Sequence, residues 1–404
     1  MEKLIDISSY PVANVLDLLL QDKSTKKNII WATDTYEEFG ERFTDKVQMD
    51  ANALLRRTDI IRPRIQKSLE AQAQRTRKKA EVFTPAWLCN RMNNHCDEDW
   101  FGRAGVFNTE NEDHTWTVTE GRIEFPKRKK WQHYVDSRRL EITCGEAPYL
   151  VSRYDVSTGE LIVPPIRRIG MLDRKLRIVN ENTDTYEEWL KWTIRAFEAS
   201  YGYEYQGDNV LIARINLLLT FMDYYEERWE RRPDDKLLEQ VANKIVWNIW
   251  QMDGLKDTVP LGKPYEEFKQ MTLFDMLGAP DESEDVPEAV PCRIFNWRSN
   301  ASLKFMDTMA LMMALIFHLR SSCSRMIERE KLGELHGLSP IEMSLLGMRI
   351  TSLSGRWWYR APMQVDKNVI INLKLLITTL LSEGRDLLSD HLVPSKRPRT
   401  SLIM

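Results

Sequence analysis

The sequence predicts an α/β fold built on a parallel sheet, because strand and helix patterns alternate through the middle of the chain. Residues 185–199 have apolar side chains at helical spacing, residues 201–205 (YGYEY) form a short strand pattern, and residues 209–225 return to helical spacing. An earlier strand pattern, LEITC at 140–144, ends at a glycine turn. Strands that alternate with helices in this way are typical of parallel sheets covered by helices.

Residues 1–80 predict a helical N-terminal segment. Helical patterns occur at 15–20 and 36–43, and the charged run 65–79 contains no proline or glycine. That last run predicts a polar, basic helix, for which a solvated face is favoured over phosphate contact. Its basic end consists of Arg75, Arg77, Lys78 and Lys79.

The following core, residues 81–306, contains two predicted insertions. Alternating apolar residues on both sides of Glu120 and Gly121 predict a β-hairpin near 114–125. Residues 257–291 are rich in Pro, Gly, Asp and Glu, which predicts an acidic linker, and a short strand is predicted at 292–297. The C-terminal tail, 307–404, has two interpretations: a helical extension that binds a partner, or a tail that is translated out of frame or poorly ordered.

Composition excludes several classes of protein. With 404 residues, 43% hydrophobic and 29% charged, the chain can bury a large core, unlike a disordered or disulfide-stapled chain. The longest apolar run, 309–317, is shorter than the roughly 20 residues of a membrane-spanning helix, so no membrane association is expected. An acidic, amphipathic N-terminus and five cysteines without framework spacing favour a cytoplasmic protein with reduced thiols.

The net charge of −3 gives no support for nucleic-acid binding by the chain as a whole. Any such binding must come from a local basic patch or from a partner subunit.

Two segments indicate a nucleotide-type cofactor pocket. In LEITCGEAPYL (140–150) a strand with an acid leads into a Gly and Ala turn, which lets the backbone approach a ligand closely; an ordinary strand-turn is the alternative. Glu204 ends a short strand before a helix, where an acid can accept hydrogen bonds from ribose hydroxyls; a solvated acid is the alternative. The chain lacks the G-x-G-x-x-G and P-loop signatures, which disfavours a dehydrogenase and a P-loop nucleotidase.

Together with EVFTP (81–85), these segments resemble, in order, the N-terminal half of S-adenosylmethionine-dependent N6-adenine DNA methyltransferases. These are the modification subunits of restriction-modification systems, and the likeness is to the group named restriction endonuclease subunit M. The resemblance covers roughly residues 14–306. It implies a Rossmann-like methyltransferase core, S-adenosylmethionine as cofactor, and DNA as partner together with a specificity or nuclease subunit. The cofactor-binding residues that it implies are Phe83, Thr84, Pro85, Glu141, Thr143, Gly145, Ala147 and Glu204.

The chemistry of the cofactor agrees with this resemblance. S-adenosylmethionine carries a sulfonium, a carboxylate and an adenosine, so its pocket needs an aromatic or apolar wall, backbone donors and a ribose acid. Phe83, Gly145 and Glu204 supply one of these features each.

The catalytic half of the resemblance is missing. The family carries an [N/D/S]-P-P-[Y/F/W] motif after its fourth strand, and this chain has none; VPPI at 163–166 lacks the polar and aromatic residues and precedes Glu204. Catalytic residues are therefore unknown. Asp253 and Asn296 are candidates for approaching a target base, with a loop acid and a capping asparagine as the alternatives.

Two functions follow as expectations. One is a DNA adenine methyltransferase subunit, and the other is a non-catalytic cofactor-binding or interaction subunit, a degenerate or truncated relative. No metal site is predicted, because the spacing of Cys89, His95 and Cys96 fits no zinc ligand set.

Overall fold

The protein is a mixed α/β structure organised around a four-stranded parallel sheet. The computed structural model describes residues 3–79, 84–263, 287–305 and 369–371, all within one unit of the chain. The strands are β1 (Gln21–Asp22), β2 (Lys27–Asn28), β3 (Asn108–Glu110), β4 (Trp116–Val118), β5 (Arg138–Glu141), β6 (Ser200–Glu204), β7 (Ile249–Gln251), β8 (Arg293–Asn296), β9 (Ala301–Lys304) and β10 (Val369–Ile371). The helices are α1 (Val12–Leu20), α2 (Ala51–Leu55), α3 (Leu69–Lys79), α4 (Ala86–Phe101), α5 (Trp131–Val135), α6 (Met171–Asn182), α7 (Tyr186–Glu198), α8 (Gly207–Trp229) and α9 (Asp235–Asn248).

The central sheet has the strand order β10-β5-β6-β7, with every pair parallel. The register aligns Glu141 with Gly202, and Glu204 with Gln251. Because the strands are parallel, the ends of β5, β6 and β7 lie at the same edge of the sheet. The predicted α/β class with a parallel sheet is therefore confirmed.

The central helices match their sequence patterns closely. The predicted helix at 185–199 is α7, whose first turn is capped by the Thr185 hydroxyl accepting from the Glu188 amide at 3.3 Å. The predicted helix at 209–225 begins two residues earlier and ends four residues later, as α8. This helix is buried along most of its length because it contacts α1, α6, α9, β6 and β7.

The N-terminal segment packs into the same hydrophobic core as the sheet. Arg214 of α8 makes the connection: its fully buried guanidinium donates to the carbonyls of Leu19, Gln21 and Ile249. The segment is less helical than predicted. Residues 36–43 form two short 3-10 turns because Gly40 between them has φ +111°, outside the helical region.

The predicted hairpin near 114–125 is wrong in its register. The hairpin pairs β3 with β4, and Asp113 accepts hydrogen bonds from Thr115 in its turn. The carbonyls of Thr119 and Gly121, at the turn that the sequence predicts, accept hydrogen bonds from the guanidinium of Arg177 in α6. They are therefore not paired with another strand. Ile123 is buried against the core without being in a strand.

The predicted strand at 292–297 is present as β8, which pairs with β9 in a separate antiparallel hairpin. Most of the predicted acidic linker, residues 264–286, lies outside the described residues. Within the predicted tail, only β10 is described, and it pairs in parallel with β5. Among the described helices, none has both the length and the apolar character needed to cross a membrane.

Candidate functional site

The sheet contains a topological switch point at β5. The chain continues from β5 to β6 on one side, while β10, much later in the sequence, pairs on the other side. In open α/β sheets, ligands bind in the crevice at the carboxyl ends of strands where the order reverses. The turn that follows β5, residues 142–147, leaves the sheet at this edge.

This turn has an unusual backbone. Three alternate residues, Thr143, Gly145 and Ala147, have positive φ values of 45°, 52° and 65°. Only glycine adopts this region readily, so the threonine and alanine carry strain of about 1 to 3 kcal/mol each. Hydrogen bonds hold the turn in place: the amide of Cys144 donates to the Tyr203 carbonyl at 2.8 Å, and that of Ala147 donates to the Cys144 carbonyl at 2.7 Å. Strain of this kind clusters at functional sites.

Glu204 connects this turn to the end of β6. Its Oε2 atom accepts from the Gly145 amide at 2.9 Å, and its Oε1 atom accepts from the Gln206 amide at 3.2 Å. The side chain is buried. The glycine and the strand-end acid, 59 residues apart in sequence, are therefore in direct contact.

Glu141 supports the same turn from inside the protein. Its carboxylate accepts from the amides of Tyr149 at 3.3 Å and Leu150 at 3.0 Å. Burial raises the pKa of Glu141 well above its usual range, and the nearby Glu204 raises it further. In this conformation Glu141 contacts the backbone of the 149–150 segment, so its part in the site is to shape the turn.

The EVFTP segment is described from Thr84 onward; Phe83 lies outside the described residues. Thr84 forms a hydrogen bond with the side chain of Tyr149, which belongs to the same segment as the glycine turn. This hydrogen bond lowers the pKa of the Tyr149 hydroxyl, whereas burial raises it by more. Pro85 immediately precedes α4, and the first amide of that helix, from Ala86, donates to Asp155 at 3.1 Å. The described parts of all three predicted segments are thus joined by direct contacts.

The basic helix α3 has the predicted solvated face except at Arg75, since most of its other described side chains are exposed. Arg75 is buried and lies 3.1 Å from Asp208 Oδ2, at the start of α8. Lys67 lies 2.9 Å from the same oxygen, and the Tyr36 hydroxyl donates to it at 2.7 Å. Burial alone raises the pKa of Asp208, but Arg75 and Lys67 outweigh burial and lower it. The sequence contained no sign of this cluster, because Arg75 and Asp208 are 133 residues apart.

The two candidates for base contact have different environments. Asp253 follows β7, and its Oδ1 atom accepts from the Leu255 amide at 3.0 Å. The preceding residue, Met252, donates its amide to the Glu204 carbonyl at 2.9 Å, so Asp253 is near the site. Asn296 accepts from the amides of Arg298 and Ser299 in the β8–β9 turn, which is the capping alternative.

Within the described residues, no group of three or more His, Cys, Asp or Glu side chains is arranged to hold a metal ion. Burial raises the pKa of the Cys89 thiol, and it raises that of Cys96 to about 11. Both cysteines are therefore protonated thiols at neutral pH, a form that binds metals poorly.

Comparison of the chain with known proteins gives no matching family model, no matching curated protein and no matching solved structure.

Proposed function

We propose that the chain binds S-adenosylmethionine at the carboxyl edge of β5 and β6, and that it is a DNA (adenine-N6) methyltransferase, the modification subunit of a restriction-modification system. The observation that carries the proposal is the hydrogen bond between the Gly145 amide and Glu204 Oε2, which joins a glycine turn to a strand-end acid at the switch point. The order β7-β6-β5-β10 corresponds to strands 3-2-1-4 of a Rossmann-like sheet, which also supports it.

The residues at this edge suit the cofactor. Glu204 is held at the sheet edge by two backbone amides, in the position from which an acid accepts ribose hydroxyls. Gly145 has a φ of 52°, which glycine adopts without strain, and the absence of a side chain lets a ligand approach the backbone closely. A carboxylate at this edge, Glu204, favours a ligand with positive charge, and the sulfonium and ammonium of S-adenosylmethionine supply it. Bound there, the cofactor supplies an electrophilic methyl group.

Cofactor binding is tested by calorimetric titration of the full chain with S-adenosylmethionine and, separately, NAD. We expect Glu204→Gln to weaken S-adenosylmethionine binding by about 10- to 150-fold, the value of a hydrogen bond to a charged group. Gly145→Ala should abolish it.

Two matched variants serve as controls. Glu187→Gln changes an exposed acid, and Gly102→Ala places the same methyl group at φ +76° with nothing within 4 Å. Equal affinity in all four variants, or binding of NAD alone, contradicts the proposed site.

The alternative is a non-catalytic cofactor-binding or interaction subunit. It is favoured by one observation, the absence of the [N/D/S]-P-P-[Y/F/W] motif from all 404 residues. The two functions are distinguished by transfer of tritiated methyl groups to DNA. Transfer by the isolated chain excludes the non-catalytic subunit. Cofactor binding without transfer, both alone and with the partner subunit, supports it.

A further inference from the structure

A basic cavity of about 870 Å³ lies between the β1–β2 hairpin and the β8–β9 hairpin. Four cationic residues line it: Lys23, Lys26, Lys27 and Arg293. Asp22 is the one acid among its lining residues. This concentration of positive charge contrasts with the net charge of −3 for the whole chain.

The acid in the lining forms no ion pair with these four cations in the described residues. Both carboxylate oxygens of Asp22 accept hydrogen bonds from its own turn, from the Ser24 amide at 3.0 Å and from the Thr25 amide at 2.9 Å and hydroxyl at 2.6 Å. In the part of the chain that the structure describes, none of the four cations forms an ion pair. Burial, and then Arg214, lowers the pKa of Lys23. An anionic ligand beside Lys23 would raise its pKa and so offset both effects.

The backbone of the turn distinguishes between kinds of anion. The amide of Lys26 donates to the Asp22 carbonyl at 2.9 Å, and the amide of Lys27 donates to the Thr25 hydroxyl at 3.2 Å. The amides of Ser24 and Thr25 donate to the Asp22 carboxylate, so all four backbone donors are already used within the turn. Compact phosphate sites rely on such backbone amides. Long lysine side chains on a closed turn instead suit the spaced phosphates of a polynucleotide.

The cavity lies beside β7, an edge strand of the described sheet. Arg293 donates its amide to Ser24 at 3.0 Å, and the neighbouring Cys292 thiol contacts the Gln251 carbonyl at 3.4 Å. Gln251 is the register partner of Glu204. The basic cavity and the candidate cofactor site therefore border adjacent strands of one sheet.

We propose that the basic cavity binds the phosphate backbone of duplex DNA. The choice of DNA as the polymer rests on the proposed function, whereas the unpaired positive charge is a property of the cavity itself. The cavity is a local basic patch separate from the basic run at 75–79, in which Arg75 pairs with Asp208.

The test is fluorescence anisotropy of a labelled duplex with the full chain, without cofactor, over a range of salt concentrations. The triple variant Lys23→Gln, Lys26→Gln, Lys27→Gln should lower the slope of log affinity against log salt by up to about 2.7, since each phosphate contact contributes about 0.9. Affinity at 0.1 M salt should fall by about 100-fold or more. The double variant Lys26→Gln, Lys27→Gln removes only exposed side chains and keeps the fold, and it should show about two thirds of the slope change.

A matched control removes three exposed lysines outside the cavity, with Lys127→Gln, Lys191→Gln and Lys236→Gln. Loss of DNA affinity in the cavity variants but not in the control supports the proposal. Equal losses in both triple variants overturn it in favour of general charge attraction. Binding of tripolyphosphate by the parent chain, lost in the cavity variants, without binding of DNA also overturns it.

The same preparations are titrated with S-adenosylmethionine. A cavity variant that binds the cofactor like the parent and loses DNA supports a separate DNA contact. A parent chain that binds DNA through the cavity without binding the cofactor contradicts the proposed function and leaves the cavity assignment supported.

Discussion

Asp208 and Glu141 are two fully buried carboxyl groups with opposite electrostatic surroundings. Asp208 lies against Lys67 and Arg75, which lower its pKa. Glu141 accepts hydrogen bonds only from backbone amides in the described residues and has Glu204 nearby, and its pKa is raised. Burial acts in the same direction on both groups, so the difference comes from their charged neighbours.

Asp208 is a structural acid, whereas Glu141 lies at the candidate site. The Asp208 cluster is complete in itself and fastens α3 and the Tyr36 segment to the start of α8. Glu141 has no cationic partner among the described residues, so a cationic ligand would stabilise the ionised form of Glu141. Strongly perturbed acids and strained turns both cluster at functional sites.

The largest expected effect comes from removing the charge of the compensated acid. Asp208→Asn leaves Lys67 and Arg75 buried without their counter-ion, which should lower the free energy of unfolding by about 3 to 5 kcal/mol. Urea denaturation measures this loss. The matched substitution Asp17→Asn, at an exposed position, should change stability by less than about 0.5 kcal/mol. Similar small losses in both variants would show that the cluster does not stabilise the fold.

A smaller effect is expected when the charges stay and one hydrogen bond is lost. Tyr36→Phe removes the donor to Asp208 and keeps both cations, so it should cost about 1.5 to 3 kcal/mol in unfolding free energy. Tyr10→Phe, which removes a hydrogen bond to the neutral Pro233 carbonyl at 3.3 Å, is the control and should cost about 1 kcal/mol or less. If Tyr36→Phe destabilises as much as Asp208→Asn, the cations are not the main source of the cluster's stability.

The last expected effect is a change in how the free energy of unfolding depends on pH. The folded state holds the Glu141 proton more tightly than the unfolded state, in which the carboxyl titrates near its ordinary pKa of 4.5. The stabilising contribution is therefore complete below about pH 4.5 and is lost as the pH rises toward the raised pKa of the folded state. The slope of unfolding free energy against pH from this group is at most about 1.4 kcal/mol per unit.

Glu141→Gln should remove that negative slope between pH 4.5 and 7, as measured by urea denaturation at several pH values. Asp208 has the opposite sign: its contribution is present above its ordinary pKa of 3.8 and is lost on acidification below it. An unchanged slope in Glu141→Gln would mean that this carboxyl is not protonated preferentially in the folded state.

The sequence predicted those features that depend on short stretches of chain. The elements α7, β6 and α8 and the parallel sheet follow from local periodicity, and Gly145 and Glu204 were identified separately as turn and strand-end residues. The features that the sequence did not predict depend on contacts between residues far apart in the chain. Arg177 redirected the predicted hairpin, and Asp208 pairs with Arg75 in a helix whose own sequence predicts a solvated face. The cavity between two hairpins also combines residues from opposite ends of the described chain.

The pairing of β10 with β5 has a consequence for how the protein forms. Ile371 pairs with Leu140, roughly 230 residues earlier in the chain, so one side of β5 gains its neighbour only once synthesis has passed residue 371. Until then, β5 is an exposed sheet edge with unpaired amides and carbonyls, the kind of surface that recruits other chains into aggregates. A nascent or truncated chain that ends before residue 369 should therefore depend on chaperones far more than a chain that contains β10.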